Sequence, residues 1–167
     1  RVRGPLRRPV RGTAAGGTMA LQSVGTNGWE ARPLQSKASV SVATGALSAT
    51  QVLDLAVKAA AAVDDPSGWL RTGERGSSKV SFAVRDMTRD GTEPVLFFDA
   101  EVDRAVGRVT VRTLITSYVT RSSGVSALLP VSKRKVAGFS TYRAFMDGYA
   151  KLLKEADPAA SVSFSGT

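Results

Sequence analysis

Three carboxylates at alternate positions, Asp99, Glu101 and Asp103, form the densest group of chemistry-bearing residues in this chain. Alternate side chains of a β-strand share a face. On a strand the three would stand in a row, the disposition of a hard-cation site or a general-acid cluster. The same spacing also serves as one half of a charge ladder, and Lys79, Arg112 and Arg108 are placed to supply the other half. Neutralised carboxylates make a poor metal site, so the ladder is the reading adopted and no metal ligand is nominated. A second group is made of hydroxyls: Thr113 and Ser117 on an otherwise apolar strand face, with Tyr142 and Tyr149 on a helix opposite. Hydroxyls converging in an apolar cavity suit a hydrophobic ligand with a polar head. The plainer alternative is that each bonds to backbone or water. A third group, Lys133, Arg134 and Lys135 with Arg121, offers positive charge for phosphate or anionic lipid, or simply forms a solvated edge.

Composition removes several chemistries. The 167 residues include no cysteine and no histidine. Disulfides, thiolate metal sites, cysteine nucleophiles and histidine-dependent triads are therefore excluded. No zinc spacing, phosphate-binding glycine loop or aromatic-basic stacking motif is present. No catalytic residue and no cofactor is nominated. The net charge of +9 invites a nucleic-acid reading, but five arginines (Arg1, Arg3, Arg7, Arg8, Arg11) lie in the first 18 residues, which hold no acid. The remainder carries 18 bases against 14 acids, a balance of +4. Nucleic acid is thus not the expected partner. No apolar run approaches the ~20 residues of a membrane helix, and a cytoplasmic location is expected. Arg7-Arg8 is followed by no hydrophobic region, and Pro5 and Pro9 oppose the amphipathic helix of a transit peptide. Met19 is the first methionine, so residues 1–18 are either native or a remnant of processing or of an extended reading frame.

The elements that would position these groups follow from periodicity. Pro94 to Asp103 reads as a central strand with Leu96, Phe98, Ala100 and Val102 on the core face. Lys79 to Thr88 precedes it. A three-residue turn with Gly91 in the left-handed position sets Val84 against Leu96, Phe82 against Phe98, Val80 against Ala100 and Lys79 against Glu101. Gly107 to Arg121 follows; a turn over 104–107 sets Val102 against Val109, Ala100 against Val111, Leu96 against Ile115, Asp103 against Arg108 and Asp99 against Arg112. A further turn at Ser122-Ser123-Gly124 leads to a strand that sets Ser117 against Leu129 and Ile115 against Val131. Pro130 cannot donate to a ladder, so that strand lies at an edge, is bulged, or exposes that nitrogen outward. Lys37 to Thr44 alternates and reads as a short strand. Ser48 and Gln51 form a capping box, stapled by Leu47 and Val52, for a helix to about Val63. Trp69 to Ser78 reads as a connector, with Trp69 anchored in the core, or as a flap. Ser140 caps a last helix whose stripe is Phe145, Met146, Tyr149, Leu152, Leu153 and Ala156.

The expected fold is α+β: an antiparallel four- to five-stranded sheet, β-α-β-β-β-β-α, packed on a long C-terminal helix. Residues 1–36 form a disordered basic tail in which Trp29 docks on the domain or on a partner, 37–157 a single domain, and 158–167 a frayed tail. This element order over residues 37–157 resembles the helix-grip START/Bet v 1-like superfamily, in which a curved antiparallel sheet wraps a long C-terminal helix. The resemblance implies a site for a lipid, sterol or polyketide between sheet and helix; some members are cyclases or hydrolases. Two functions follow. One is a domain binding a hydrophobic or amphipathic small molecule beside Thr113, Ser117, Tyr142 and Tyr149. The other is a non-enzymatic interaction or dimerisation module with a filled core, using an outer patch of Phe97, Leu114 and Tyr118 with Val95 and Ala83. A polyanion binder using residues 1–18 and 133–135 is the third candidate.

Overall fold

The computed structural model describes residues 22–23, 32–88, 93–121 and 128–166. Trp29, the arginine-rich residues 1–18 and the turns at 89–91 and 122–124 lie outside them. Among the described residues seven strands form one antiparallel sheet: β1 (Gln22–Ser23), β2 (Ser39–Thr44), β3 (Gly68–Arg75), β4 (Lys79–Asp86), β5 (Leu96–Ala105), β6 (Arg108–Tyr118) and β7 (Ser161–Ser165). The order across the sheet is β3-β4-β5-β6-β2-β7, with β1 paired to the end of β6. Two helices, α1 (Ala49–Ala61) and α2 (Phe139–Ala156), pack on each other and on the sheet. This is an α+β fold with the C-terminal helix against the sheet.

The β4–β5 register is the one the buried faces demand: Val84 opposes Leu96, Phe82 Phe98, Val80 Ala100 and Lys79 Glu101. The β5–β6 register differs from expectation by two residues. The turn is Val106-Gly107 alone, so Val102 meets Val111, Ala100 meets Thr113 and Glu101 meets Arg112. Gly107 takes a left-handed φ of 69° there. A two-residue slip preserves the face of every side chain, and the core accepts it. A bulge then changes the face. Phe97 pairs with Ser117 while Phe98 pairs with Ile115, leaving Thr116 as the extra residue. Beyond it Ser117 turns outward and Tyr118 turns in against Leu96, contrary to the alternation extended from Val111.

Three other elements depart from expectation. Trp69 to Arg75 is an edge strand, not a connector, and Leu70 and Thr72 pair along β4 with Trp69 and Arg71 on the opposite face. The strand expected to set Leu129 and Val131 against β6 is absent among the described residues. Pro130 instead precedes a 3-10 turn at Val131–Lys133, and Thr120 bridges Val136. Residues 161–165 are not frayed; they pair with β2 from Ser39↔Ser165 to Ala43↔Ser161. At the other end, a 3-10 turn at Leu34–Lys37 precedes β2, and its Gln35 side chain accepts the Val136 amide at 2.8 Å. The folded body therefore reaches beyond 37–157 at both ends.

α1 begins as its sequence prescribes. Ser48 caps it, the Gln51 amide donates to Ser48 Oγ, and the Ser48 amide donates to Gln51 Oε1 at 2.9 Å. α2 is capped by Gly138 (φ 72°), ahead of the expected Ser140. The Tyr142 amide already bonds to the Gly138 carbonyl, which draws Phe139 and Ser140 into the first turn. Val80, Phe82, Val84, Leu96, Phe98, Val111 and Ile115 of the sheet meet Val52, Leu53, Phe145, Met146, Tyr149 and Leu153 of the helices in one core. Burying each large side chain contributes about 1.5–3 kcal/mol, against about 0–1 for an exposed ion pair. The apolar face therefore holds the helices to the sheet, and the charges influence register.

Candidate functional site

The hydroxyls assigned to a ligand site occupy three different situations. Thr113 and Tyr142 are fully buried and 2.8 Å apart. The Val40 amide donates to Thr113 Oγ1 at 3.0 Å and Tyr142 donates to the Ala38 carbonyl at 2.9 Å. Each hydroxyl has one proton, so Thr113 must donate to the Tyr142 oxygen. The network ties β2, β6 and α2 together. Tyr149 is separate and donates to the Val52 carbonyl of α1 at 3.0 Å. Burial drives both phenols well above their ordinary range and keeps them neutral, with the Thr113 bond offsetting this in part at Tyr142. Ser117, carried outward by the bulge, does not join them. The space between sheet and α2 around Tyr142 and Tyr149 holds a chain of aromatic rings, some stacked and some tilted. Phe82 and Phe98 lie 5.0 Å apart, Phe98 and Tyr142 4.6 Å, Phe98 and Phe145 4.9 Å, and Phe145 and Tyr149 5.5 Å. The hydroxyls of Thr113, Tyr142 and Tyr149 thus all have partners within the protein.

The carboxylate row lies on the other face of β5. The two-residue slip gives its members different neighbours from those expected: Asp99 opposes Leu114, Glu101 lies between Lys79 and Arg112, and Asp103 opposes Thr110. Arg108 reaches only Ala105 in the ladder. Lys79 Nζ lies 3.3 Å from Asp99 Oδ2, a diagonal pair in place of the expected Asp99–Arg112 pair. Among the described residues no group of three or more acidic side chains is gathered closely enough to hold a metal ion.

Both helices pack on the face that bears Phe82 and Phe98, and among the described residues no α-helix packs on the opposite face of the sheet. There the register aligns Arg71, Ala83, Phe97 and Ser117 in one row across β3, β4, β5 and β6. Trp69 and Arg85 oppose each other in the next row, and Leu114 lies beside Asp99 on the other side. Phe97 and Leu114 are half-buried, and Trp69 is 49% exposed. The Arg85 guanidinium lies 5.6 Å from the Trp69 ring centroid. Its Nε is buried and has no hydrogen-bond partner. Of the expected outer patch, Phe97, Leu114 and Ala83 are on this face. Tyr118 is not: it is 3% exposed and packs inside because the bulge reverses its direction. Val95 is also buried, in a small cluster with Val119 and Ala137. Trp69, expected as a core anchor, stands on this outer face instead, and Arg85 is an addition that sequence reasoning missed. The signal was present, since Trp69, Arg71 and Gly73 alternate against Leu70 and Thr72. Gly68 and Gly73 disguise that alternation as a loop.

The basic cluster is partly consumed by the fold. Arg121 pairs with the buried Asp86 at 3.3 Å, and Arg134 Nε donates to the Leu129 carbonyl at 3.1 Å. Arg121 and Lys135 line a cleft of about 230 Å³ with Gln35, Val136, Phe139 and Ser140 at the start of α2. Asp86 sits below the usual carboxylate range. Burial would raise it, but the Thr88 hydroxyl and amide and the Arg121 guanidinium together outweigh burial.

The fold is thus a two-layer α+β arrangement, with two helices on one face of an antiparallel sheet and an aromatic–arginine patch on the other. Among the described residues no helix is long and apolar enough to cross a membrane. Comparison with protein-family models, with curated proteins and with solved structures finds nothing that matches the chain.

Proposed function

We propose that this domain is a non-enzymatic protein-interaction module that receives an acidic, aromatic-bearing segment of a partner protein on the outer face of β3, β4 and β5. The observation that carries this reading is the pairing of Trp69 and Arg85 on a helix-free stretch of sheet: a half-exposed indole with a guanidinium 5.6 Å from its ring centroid. A partner carboxylate meeting the Arg85 guanidinium would form a charge-assisted contact. Trp and Arg are also the residue types that dominate binding energy at interfaces. Arg71 adds a second positive charge beside the apolar Ala83–Phe97 step, which favours an acidic partner at this end of the face, away from Glu101 and Asp103. The alternative site, for a hydrophobic small molecule between sheet and α2, has less support. Its nominated hydroxyls Thr113, Tyr142 and Tyr149 have protein partners, and aromatic rings fill the layer.

A displayed peptide library selected against the full chain tests the reading. Selected peptides are expected to contain an acidic residue beside an aromatic one. Phe97→Lys and Arg85→Gln should each weaken their binding at least tenfold, the loss expected when a contact of about 1.4 kcal/mol or more is removed. Peptides that bind both variants as they bind the unmodified chain would overturn the proposal, as would a selection that yields no binder.

A further inference from the structure

The two edges of the sheet are built differently. β3 carries Arg71, Glu74 and Arg75, and its pairing with β4 is interrupted by an irregularity between Thr72 and Arg75. Charge and irregularity are the usual protections of an edge strand against pairing with another chain. β7, at the opposite edge, has neither. Its sequence is Ser161-Val162-Ser163-Phe164-Ser165, with no charge and no proline, and it pairs with β2 through five consecutive residues without a shift. Among the described residues no strand pairs with its other side. Its three serines point to the helix-free face and its two apolar residues to the helix side, where Phe164 remains 41% exposed.

We infer that β7 is a self-pairing edge through which two copies of this chain form a continuous antiparallel sheet, with a two-fold axis at Ser163. The choice of a second copy follows from the pattern itself. SVSFS reads serine, apolar, serine, apolar, serine in both directions. Antiparallel pairing about Ser163 therefore sets Val162 of one copy against Phe164 of the other twice, and serine against serine three times. No charge opposes a like charge at any position, as a two-fold interface requires of a self-complementary patch. The exposed Phe164 ring is covered by this pairing. The Arg143 guanidinium, 5.5 Å from that ring and paired to Asp147, supplies a charged rim above it. A five-residue edge is smaller than the standard interface of about 1,600 Å², so the dimer is concentration-dependent. The Trp69–Phe97 surface lies toward the other edge of the sheet and remains open in the dimer.

Sedimentation equilibrium on the full chain, from about ten to several hundred micromolar, reads the association directly. The unmodified chain should shift from monomer to dimer across that range. Directly opposite residues of an antiparallel pair have Cβ atoms about 4.5–5.5 Å apart, so Ser163→Lys and Ser163→Glu each set like charges against each other at the axis. Each variant alone should associate at least tenfold more weakly, and an equimolar mixture of the two should recover a dimer. Ser163 is exposed, and circular dichroism checks that both variants remain folded. A monomer at every concentration overturns the inference. Variants that dimerise like the unmodified chain overturn it too, by placing the contact elsewhere. A mixture that stays monomeric overturns the register about Ser163.

Discussion

Thr113 shows how one hydroxyl can serve three elements. It stands on β6, receives the Val40 amide of β2, and donates to Tyr142 of α2, which in turn donates to the Ala38 carbonyl. All four residues are buried. Removing the hydroxyl leaves a buried N–H without an acceptor and a phenol oxygen without its donor. Thr113→Val should therefore destabilise by about 1–3 kcal/mol, lowering the thermal midpoint by roughly 3–10 °C. Thr113→Ser should recover much of the loss, because it restores the donor and acceptor but not the methyl. Scanning calorimetry distinguishes the two, and an unchanged midpoint for the valine variant would contradict the network. In the sequence, a polar residue on an apolar face was legible as an anomaly. Its partners were not, since Ala38 and Val40 contribute only backbone atoms, and backbone partners leave no trace in side-chain patterning.

At the scale of elements, legibility followed burial. The β4–β5 register was readable because Phe82 and Phe98 tolerate only one face, and a wrong parity would expose both. The β5–β6 register slipped by two because parity is indifferent to a slip of two, and the choice between a four-residue and a two-residue turn was left to Gly107. β7 escaped notice because serine suits an exposed strand face as well as a loose tail. Two glycines give this scale its test. Gly68 enters β3 where a Cβ would collide with Thr141 Oγ1, the hydroxyl that donates to Asp65 at 2.8 Å. Gly148 lies inside α2 where a Cβ would meet nothing within 4 Å. Alanine is favoured over glycine in a helix interior by about 1 kcal/mol. Gly148→Ala should therefore raise the midpoint of unfolding by a few degrees, while Gly68→Ala should lower it by forcing Thr141 away from Asp65. Equal effects of the two substitutions in a denaturant titration would contradict the packing at the start of α2.

For the whole molecule, the buried phenols set the alkaline limit of stability. Tyr142 and Tyr149 are both held neutral by burial in the layer between sheet and helices, and both ionise well above the ordinary tyrosine value. In the unfolded chain each ionises near pH ~10. Below that value both states are protonated and the tyrosines contribute their full stabilisation. As pH rises above about 10 the unfolded state sheds protons that the folded state retains, so the equilibrium moves toward unfolding. The slope is about 1.4 kcal/mol per pH unit for each tyrosine once the unfolded phenol is fully ionised. Replacing both with phenylalanine removes three hydroxyl hydrogen bonds and lowers stability near neutrality, but it also removes both titrations. The double variant should therefore start less stable at about pH 8 and lose much less stability between about pH 10 and about pH 11.5 than the unmodified chain. Lysine and arginine titrations are common to both proteins and cancel in the comparison. Urea unfolding at a series of pH values measures the two slopes. Parallel curves would mean that both phenols ionise in the folded state as they do in the unfolded one, and a difference of only about 1.4 kcal/mol per pH unit would mean that one of them does; either result contradicts burial of both rings in the layer between sheet and helices.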